Sequence, residues 1–427
     1  MEVLILHYHL NPGGVTKIIE SQINALQMVA HSPDMKVICG NSNGRKIWNG
    51  IPVVENSLMN YMSSNTSKVK LSETVSDIMS FIKSFVTHTI LHCHNPNLGK
   101  NPALSMAVYN LANEGFPVIN HYHDFAEDRP ENMKLLEIAL PAIAPVKTEN
   151  VLYPDLPNYH FIVLNSCDYE RILNKKINPA RIQLLANPVA AVEAYNTSGL
   201  KDKICNSLAL DPSKILCTYP VRAIKRKNLG EFILIASLFT DVASFAVTMA
   251  PLNPVELPLY NIWKSFCREI NIPVCFEAGE KVSYEELIAA SDFCITTSIR
   301  EGFGMVYLEP WLVGTPVIGR ELPCVINDLK KKGLKFPELY KRINANLRGE
   351  QPDFMELSQQ DQAEFIRKIK TNADSRLELL QNNPYLKNLL LDVPEEIIYQ
   401  NQQIIRQSFS LEAYGKEISR IYRKVLE

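Results

Sequence analysis

Short apolar runs that do not alternate with polar residues, each followed by a run of helical period, constrain this chain more than any other feature in it. Residues 3–7 read as a continuous apolar strand and 11–14 as a turn. Residues 15–29 read as a helix with Ile18, Ile19, Ile23, Leu26 and Met28 at its apolar positions. Strands are expected at 37–40, 89–92, 118–120 and 160–164, with helices at 71–86, 102–113 and 167–174. Strands without alternation, separated by helices, make a parallel sheet covered on both faces, and ligands then bind beyond the carboxyl ends of the strands. The second half repeats the pattern with strands at 215–219, 244–249, 274–276, 293–297 and 316–318. The fold class is therefore α/β, with two doubly wound, Rossmann-like domains facing a cleft.

A length of 427 residues suits two such domains, each able to bury its own core. The stretch 182–189 is the natural linker. The expected division is an N-terminal domain over 1–188, a C-terminal domain over 189–408, and a last amphipathic helix over 409–427 that can pack back on the first domain. A net charge of −2 gives no global electrostatic reason to bind nucleic acid. The basic runs Lys225-Arg226-Lys227 and Lys330-Lys331-Lys332 read first as solvated faces. The most apolar long stretch, 232–252, is interrupted by Asp241 and Pro251, so no transmembrane segment is expected. Nine cysteines without a C-x-x-C read as small buried residues in a reducing compartment, and with no signal-peptide pattern the expected location is cytoplasmic. Two N-x-[ST] matches, at Asn65 and Asn196, then read as chance.

Six of the nine histidines fall in three pairs, His7/His9, His92/His94 and His121/His123, each at the end of an expected strand. Residues i and i+2 on a strand share a face, so each pair can present two imidazoles together. That spacing suits zinc, but no acidic or cysteine partner stands at a recognisable distance in sequence. The expectation is no metal, with His7, His92 and His121 structural.

The stretch TTSIREGFGMVYLEPWLVGTPVI, residues 296–318, carries the most chemistry. A buried strand ends near Thr297, Glu301 follows in the turn, and Gly302-Phe303-Gly304 leads into an expected helix carrying Glu309 about two turns in. Glycines at a helix start let an anion approach free N–H groups. Two carboxylates flanking such a cradle suit a ligand that is part phosphate and part polyol.

Glu301 to Glu309 resembles the E-x7-E signature of retaining glycosyltransferases of the GT-B fold, specifically glycosyltransferase family 4. Further features fall in the family's order: the Pro12-Gly13-Gly14-Val15 loop, Arg222 and Lys227 after the first strand of the second domain, and Tyr284-Glu285-Glu286-Leu287 ahead of Ala290-Ser291-Asp292. Departures are Gly319-Arg320-Glu321 where the family often has a second Gly-Gly and a Glu, Glu309-Pro310 for its Glu-Ala, and the poorly matched helical, polar stretch 335–390.

The resemblance implies a hexosyltransferase acting on a nucleotide-diphosphate sugar and a hydroxylated small-molecule or carbohydrate acceptor, with no cofactor required. Arg222 and Lys227 would neutralise the leaving diphosphate, and Glu301 would contact the transferred sugar, helped by N–H groups of Gly302, Phe303, Gly304 and Met305. Glu309 would hold the ribose hydroxyls, Val282 would lie near the base, and Gly13 and Gly14 would let their loop close on the donor phosphate. His123 matches the family position facing the sugar, which gives it a catalytic role with Glu301, Arg222 and Lys227. His9, His94, Asp124 and Arg129 would line the acceptor side, where Arg129 or Lys100 could hold a carboxylate. The rivals are a GT-B nucleotide-sugar epimerase or phosphorylase, a metal-dependent hydrolase built on the H-x-H pairs, and a catalytically silent sugar-binding module.

Overall fold

The computed structural model describes residues 1–62, 68–85, 89–190, 198–347 and 349–427. The Asn65 and Asn196 matches and the last residue of the helix expected at 71–86 lie outside the described residues. The chain divides into two compact units, Met1–Ala190 with Ser408–Glu427, and Ala191–Gln407.

Unit 1 holds the strands β1 (Glu2–His7), β2 (Asp34–Cys39), β3 (Ile47–Trp48), β4 (Ile51–Glu55), β5 (Thr89–His94), β6 (Val118–His121), β7 (Tyr159–Val163) and β8 (Ile182–Leu184). Their order is β3-β4-β2-β1-β5-β6-β7-β8, with every pair parallel except β3–β4. The unbroken apolar runs are explained by burial on both faces. Val3, Ile5, Ile90, Ile119 and Ile162 pack with residues of the helices Gly14–Gln27 and Leu411–Leu426. Leu4, Leu6, Leu91, Phe161 and Val163 pack on the other side with residues of Lys68–Lys83, Pro102–Asn113 and Pro130–Ile143. The terminal helix crosses the first one closely at Gly415, where a Cβ would lie 2.4 Å from the Ala25 carbonyl oxygen.

Two expectations need correcting here. The stretch 182–189 is not all linker, because Ile182–Leu184 pairs with β7 as the edge strand. The edge strand β3 and its neighbour β4 escaped the sequence pattern, being only two and five residues long. No helix among the described residues is long and apolar enough to cross a membrane.

Unit 2 holds β9 (Ile215–Arg222), β10 (Ala243–Met249), β11 (Val274–Cys275), β12 (Phe293–Thr296), β13 (Val317–Arg320) and β14 (Leu339–Tyr340). The order is β11-β10-β9-β12-β13-β14, parallel throughout. Gly319 on β13 has φ +114° and leaves no room for a Cβ, which would sit 2.1 Å from the Thr296 carbonyl oxygen. Next to it, Arg320 is 2% exposed and fully engaged. Its Nε and Nη2 donate to the two oxygens of Glu231 at 2.8 and 2.6 Å, while Nη1 and Nη2 donate to Asp353 at 2.9 and 2.8 Å. Tyr340 and Asn228 donate to the remaining lone pairs of Glu231 at 2.7 and 2.9 Å. Arg320 thus ties β13 to Asp353, inside the stretch 335–390 that matched the family poorly. That stretch contains β14 and the helices Gln359–Thr371 and Ala373–Asn382.

A charge buried this deeply is tolerable only while its partners remain. Burial already pushes the Glu231 carboxyl above its usual range, opposed by Arg320. Arg320→Met is expected to cost about 3–5 kcal/mol in urea unfolding of unit 2. A loss within experimental error would show that Glu231 and Asp353 do not need the guanidinium.

Candidate functional site

Unit 2 gathers cations and a carboxylate where β9 and β12 end. The backbone of Lys227 is pinned first: its carbonyl accepts from the Tyr219 hydroxyl at 2.6 Å and from Thr297 Oγ1 at 3.1 Å. The neighbouring Arg226 carbonyl accepts from Ile299 N at 2.9 Å. These bonds carry the Lys225–Lys227 turn onto the loop after β12, where Glu301 stands. Lys227 Nζ donates to Glu301 Oε1, and Arg226 donates to Glu301 Oε2 at 3.0 Å and to the Arg300 carbonyl at 2.9 Å. The Glu301 side chain is only 8% exposed. Burial pushes its carboxyl up, but Lys227 and Arg226 outweigh that and hold it below the ordinary range. Burial in turn lowers the Lys227 ammonium, against the pull of Glu301. Arg222, at the end of β9, keeps a buried Nε with no hydrogen-bond partner. A donor left unpaired in this way favours an incoming anion.

The Gly302-Phe303-Gly304 turn does not open a long helix. A 3-10 turn, Met305–Tyr307, comes first, and the α-helix is the short Glu309–Leu312, so Glu309 stands at its first position rather than two turns in. Pro310 fits there because the first helical turn needs no N–H from it. Gly304 has φ +86°, and a Cβ on it would lie 2.7 Å from Val325 Cγ1. Glu309 Oε2 accepts from the Tyr284 hydroxyl at 2.9 Å. Tyr284 is aimed by the helix Tyr284–Ala290, which Ser283 caps by accepting from Glu286 N. Val282 lies just before that cap, half-buried, its N–H on the Ala278 carbonyl.

In unit 1 the three histidine pairs meet on one face of the sheet. Parallel register puts His94 of β5 opposite His121 of β6. The rings stack: His92 on His94 at 4.7 Å, His121 on His123 at 4.3 Å and His94 on His123 at 5.2 Å between centroids. Gln22 donates to the Tyr422 hydroxyl at 2.8 Å, leaving that hydroxyl to donate to His92 Nδ1 at 2.9 Å. His92 then carries its proton on Nε2 and donates to His121 Nδ1 at 3.2 Å. His94 Nδ1 meets His123 Nε2 at 2.9 Å, and His7 Nδ1 meets the His94 carbonyl at 3.0 Å. His94 Nε2 and His121 Nε2 are buried without partners.

His92, His94 and His121 each bring a ring nitrogen within 4.8 Å of the others, so these three could hold a metal ion. The expectation of no metal treated the pairs one by one and did not foresee that adjacent strands would merge them. The His92 and His121 rings lie 30° and 32° from the plane of His94 and 61° from each other. The set holds only imidazoles.

The other expected residues are distributed as follows. His94 is 1% exposed and lies against His123, which corrects its placement as a residue directly lining an acceptor surface. His123 lies two residues beyond the end of β6, part-buried, its N–H held by Asn95 Oδ1 at 2.6 Å. Asp124 and Arg129 form an ion pair at 3.1 Å. Gly13 and Gly14 are exposed, and a Cβ on Gly14 would meet nothing within 4 Å, so unit 1's own packing does not require that glycine. Sequence reasoning missed Arg226, Tyr422, Asn95 and the partnership of Tyr284 with Glu309. The run Lys225-Arg226-Lys227 was the one available signal, and it was read as a solvated face.

No family model matches the chain. It is 25% identical, over 90% of its own length and 77% of the relative's, to the mannosylglucosyl-3-phosphoglycerate synthase of Petrotoga mobilis. The solved structure of Anabaena HepE in complex with UDP and glucose superposes with a TM-score of 0.63, at 15% identity over 99% of both chains. WaaG, a glycosyltransferase involved in lipopolysaccharide biosynthesis, gives a TM-score of 0.55 at 15% identity, over 95% of this chain and 100% of that one. These likenesses establish the two-sheet GT-B fold.

The histidine cluster predicts how the protein responds to acid. Burial lowers His7 to about 4 and His92 and His123 to about 3, and drives His94 and His121 well below 6.5, with neighbouring imidazoles adding to the effect in His94 and His121. Unfolding frees each ring to bind a proton near 6.5, so the folded state holds fewer protons between its own pKa and 6.5. Stability is then highest above about pH 6.5 and falls as pH drops towards 4, by about 2 kcal/mol at pH 5 for His92, whose shift comes from burial alone. Urea midpoints for unit 1 at pH 7.5 and pH 5.0 test this, and equal midpoints would contradict it.

Proposed function

We propose that this chain, a glycosyltransferase of the GT-B fold, moves a hexosyl group from a nucleotide-diphosphate sugar to a hydroxyl acceptor with retention at the anomeric carbon. The observation that carries the reading is the ion-paired assembly of Lys227 and Arg226 on the buried Glu301 near the end of β9, with the Arg222 Nε still unpaired. Fixed cations aimed at a leaving diphosphate lower the barrier because charge grows there in the transition state. Lys227 and Arg222 take that role, and Arg226 joins them by holding the second oxygen of Glu301. Glu301 then contacts the transferred sugar with its orientation already set. Glu309 takes the ribose hydroxyls, oriented from behind by Tyr284. Glycine at 302 and 304 keeps the intervening backbone open to phosphate.

Retention fits a front-face, oxocarbenium-like route in which a donor phosphate oxygen accepts the acceptor's proton, so no separate protein base is required. The part-buried, neutral His123 offers hydrogen bonding without adding positive charge beside a developing oxocarbenium ion. No metal or other cofactor takes part in this scheme. The Petrotoga relative is named for a product in which sugars are joined to 3-phosphoglycerate. We therefore take the acceptor to be a glycoside of that kind, a sugar attached to a glycerate or phosphoglycerate.

The test is a donor screen with excess EDTA, in which UDP-, GDP- and ADP-sugars are followed by NMR for nucleotide release and for the anomeric configuration of the product. One nucleotide is expected to turn over at a rate EDTA leaves unchanged, giving an axial or equatorial linkage that matches the donor's. Activity lost to EDTA and restored by zinc would move the function to the histidine cluster and a hydrolase. With the active donor, Lys227→Ala is expected to lower kcat by about a hundredfold with a smaller change in donor affinity, each factor of ten being about 1.4 kcal/mol of barrier. Wild-type turnover would remove Lys227 from the reaction.

A further inference from the structure

Tyr61 is a large aromatic side chain that unit 1 holds rigidly yet leaves 48% exposed. Its backbone is tied on both sides. Asn101 Nδ2 donates to the carbonyls of Leu58 and Asn60 at 2.8 and 2.7 Å, and Met62 N donates to the Lys100 carbonyl at 2.9 Å. The ring is fixed edge-on by Tyr8 at 5.2 Å and His9 at 4.9 Å. Gly40 helps to bring this segment in, since a Cβ there would lie 2.1 Å from Asn60 N. A fixed aromatic face open to water stabilises the fold less than a buried one would, and it offers a flat apolar surface for the C–H face of a sugar.

The groups around that face are cationic. Lys100 Nζ lies 5.7 Å from the centre of the Tyr61 ring. Arg129 and Asp124 act on the Tyr61 hydroxyl electrostatically from the ion pair they form together. The remaining acids of that loop are engaged elsewhere: Asp128 binds Arg171 at 2.9 Å, and Glu127 accepts from Tyr153 at 2.5 Å. Close to the platform, then, two cations, Lys100 and Arg129, stand with the one carboxylate of Asp124 among the described residues. His9 adds a buried Nδ1 with no partner.

We infer that Tyr61, Lys100, Arg129 and His9 form an anionic-glycoside site on unit 1, in which Tyr61 stacks the sugar ring while Lys100 and Arg129 bind the carboxylate or phosphate of its aglycone. Arg129 can present its guanidinium to two oxygens at once, and Lys100 supplies a point charge beside it. The assignment rests on the proposed transfer to an acceptor glycoside and adds to it the acceptor's charge and the residues that read it. Sequence alone had grouped Lys100 and Arg129 only as alternatives for one carboxylate. The new element is Tyr61, which lies against Lys100 and within electrostatic reach of Arg129.

The probe is 3-phosphoglycerate, titrated calorimetrically into the full chain with glycerol as the uncharged control. Binding is expected for 3-phosphoglycerate alone, weakened about tenfold or more in Lys100→Gln and in Arg129→Gln, and retained in Lys100→Arg. Lys100 and Arg129 are partly exposed side chains, and far-ultraviolet circular dichroism checks that the variants fold. Tyr61→Leu is expected to leave 3-phosphoglycerate binding in place and to raise the KM for a glucosylated glycerate about tenfold. Absence of binding in the wild type, or equal binding in both glutamine variants, overturns the site. The donor screen separates the two claims: turnover of a nucleotide sugar onto a neutral acceptor, with no anion binding, sinks this inference and leaves the transferase reading intact. Anion binding without turnover of any nucleotide sugar does the reverse.

Discussion

The inner strands of both sheets are parallel and buried, so most residues in them have almost no access to water. Under that constraint polar groups survive only if they are neutral, paired with opposite charge, or carried past a strand's carboxyl end. The protein uses all three solutions. The imidazoles in β1, β5 and β6 stay neutral, Arg320 in β13 is matched by two carboxylates, and Glu301 and His123 stand just beyond strand ends. The chemistry of the molecule is thus sorted by depth as well as by residue type.

The same constraint explains what could be read from the sequence. Unbroken runs such as those of β1, β5 and β7 announce two-sided burial, and with helices between them they fix a doubly wound architecture. Glu301, Lys227 and Arg222 were legible because a resemblance supplied their order along the chain. What a linear pattern cannot supply is lateral register. His94 and His121 lie 27 positions apart in sequence, and only parallel pairing makes them neighbours. Tyr422 reaches His92 from the far end of the chain, with no local signal to predict it.

Edges and departures from the family pattern were the least legible parts. The strands β3, β8 and β14 are two or three residues long, too short for any periodicity to show. Arg320 stood out in the sequence as a departure from the family pattern. Its contacts give it a structural cause, because the stretch 335–390 supplies Asp353 to meet it. A residue that breaks a motif can therefore reflect a new neighbour as readily as a new substrate.

The close crossing at Gly415 has a consequence for how the molecule is made. Unit 1 is discontinuous: its sheet is complete by residue 184, yet Tyr414, Ile418, Ile421 and Tyr422 of the last helix fill part of one of its two faces. During translation that face is covered only by the helix Gly14–Gln27 while the whole of unit 2 is synthesised. Unit 2 is contiguous and can finish folding first, so the earlier half of these 427 residues is the later one to be sealed. The stacked imidazoles beneath Tyr422 remain open to water, and to protons, until the final helix docks.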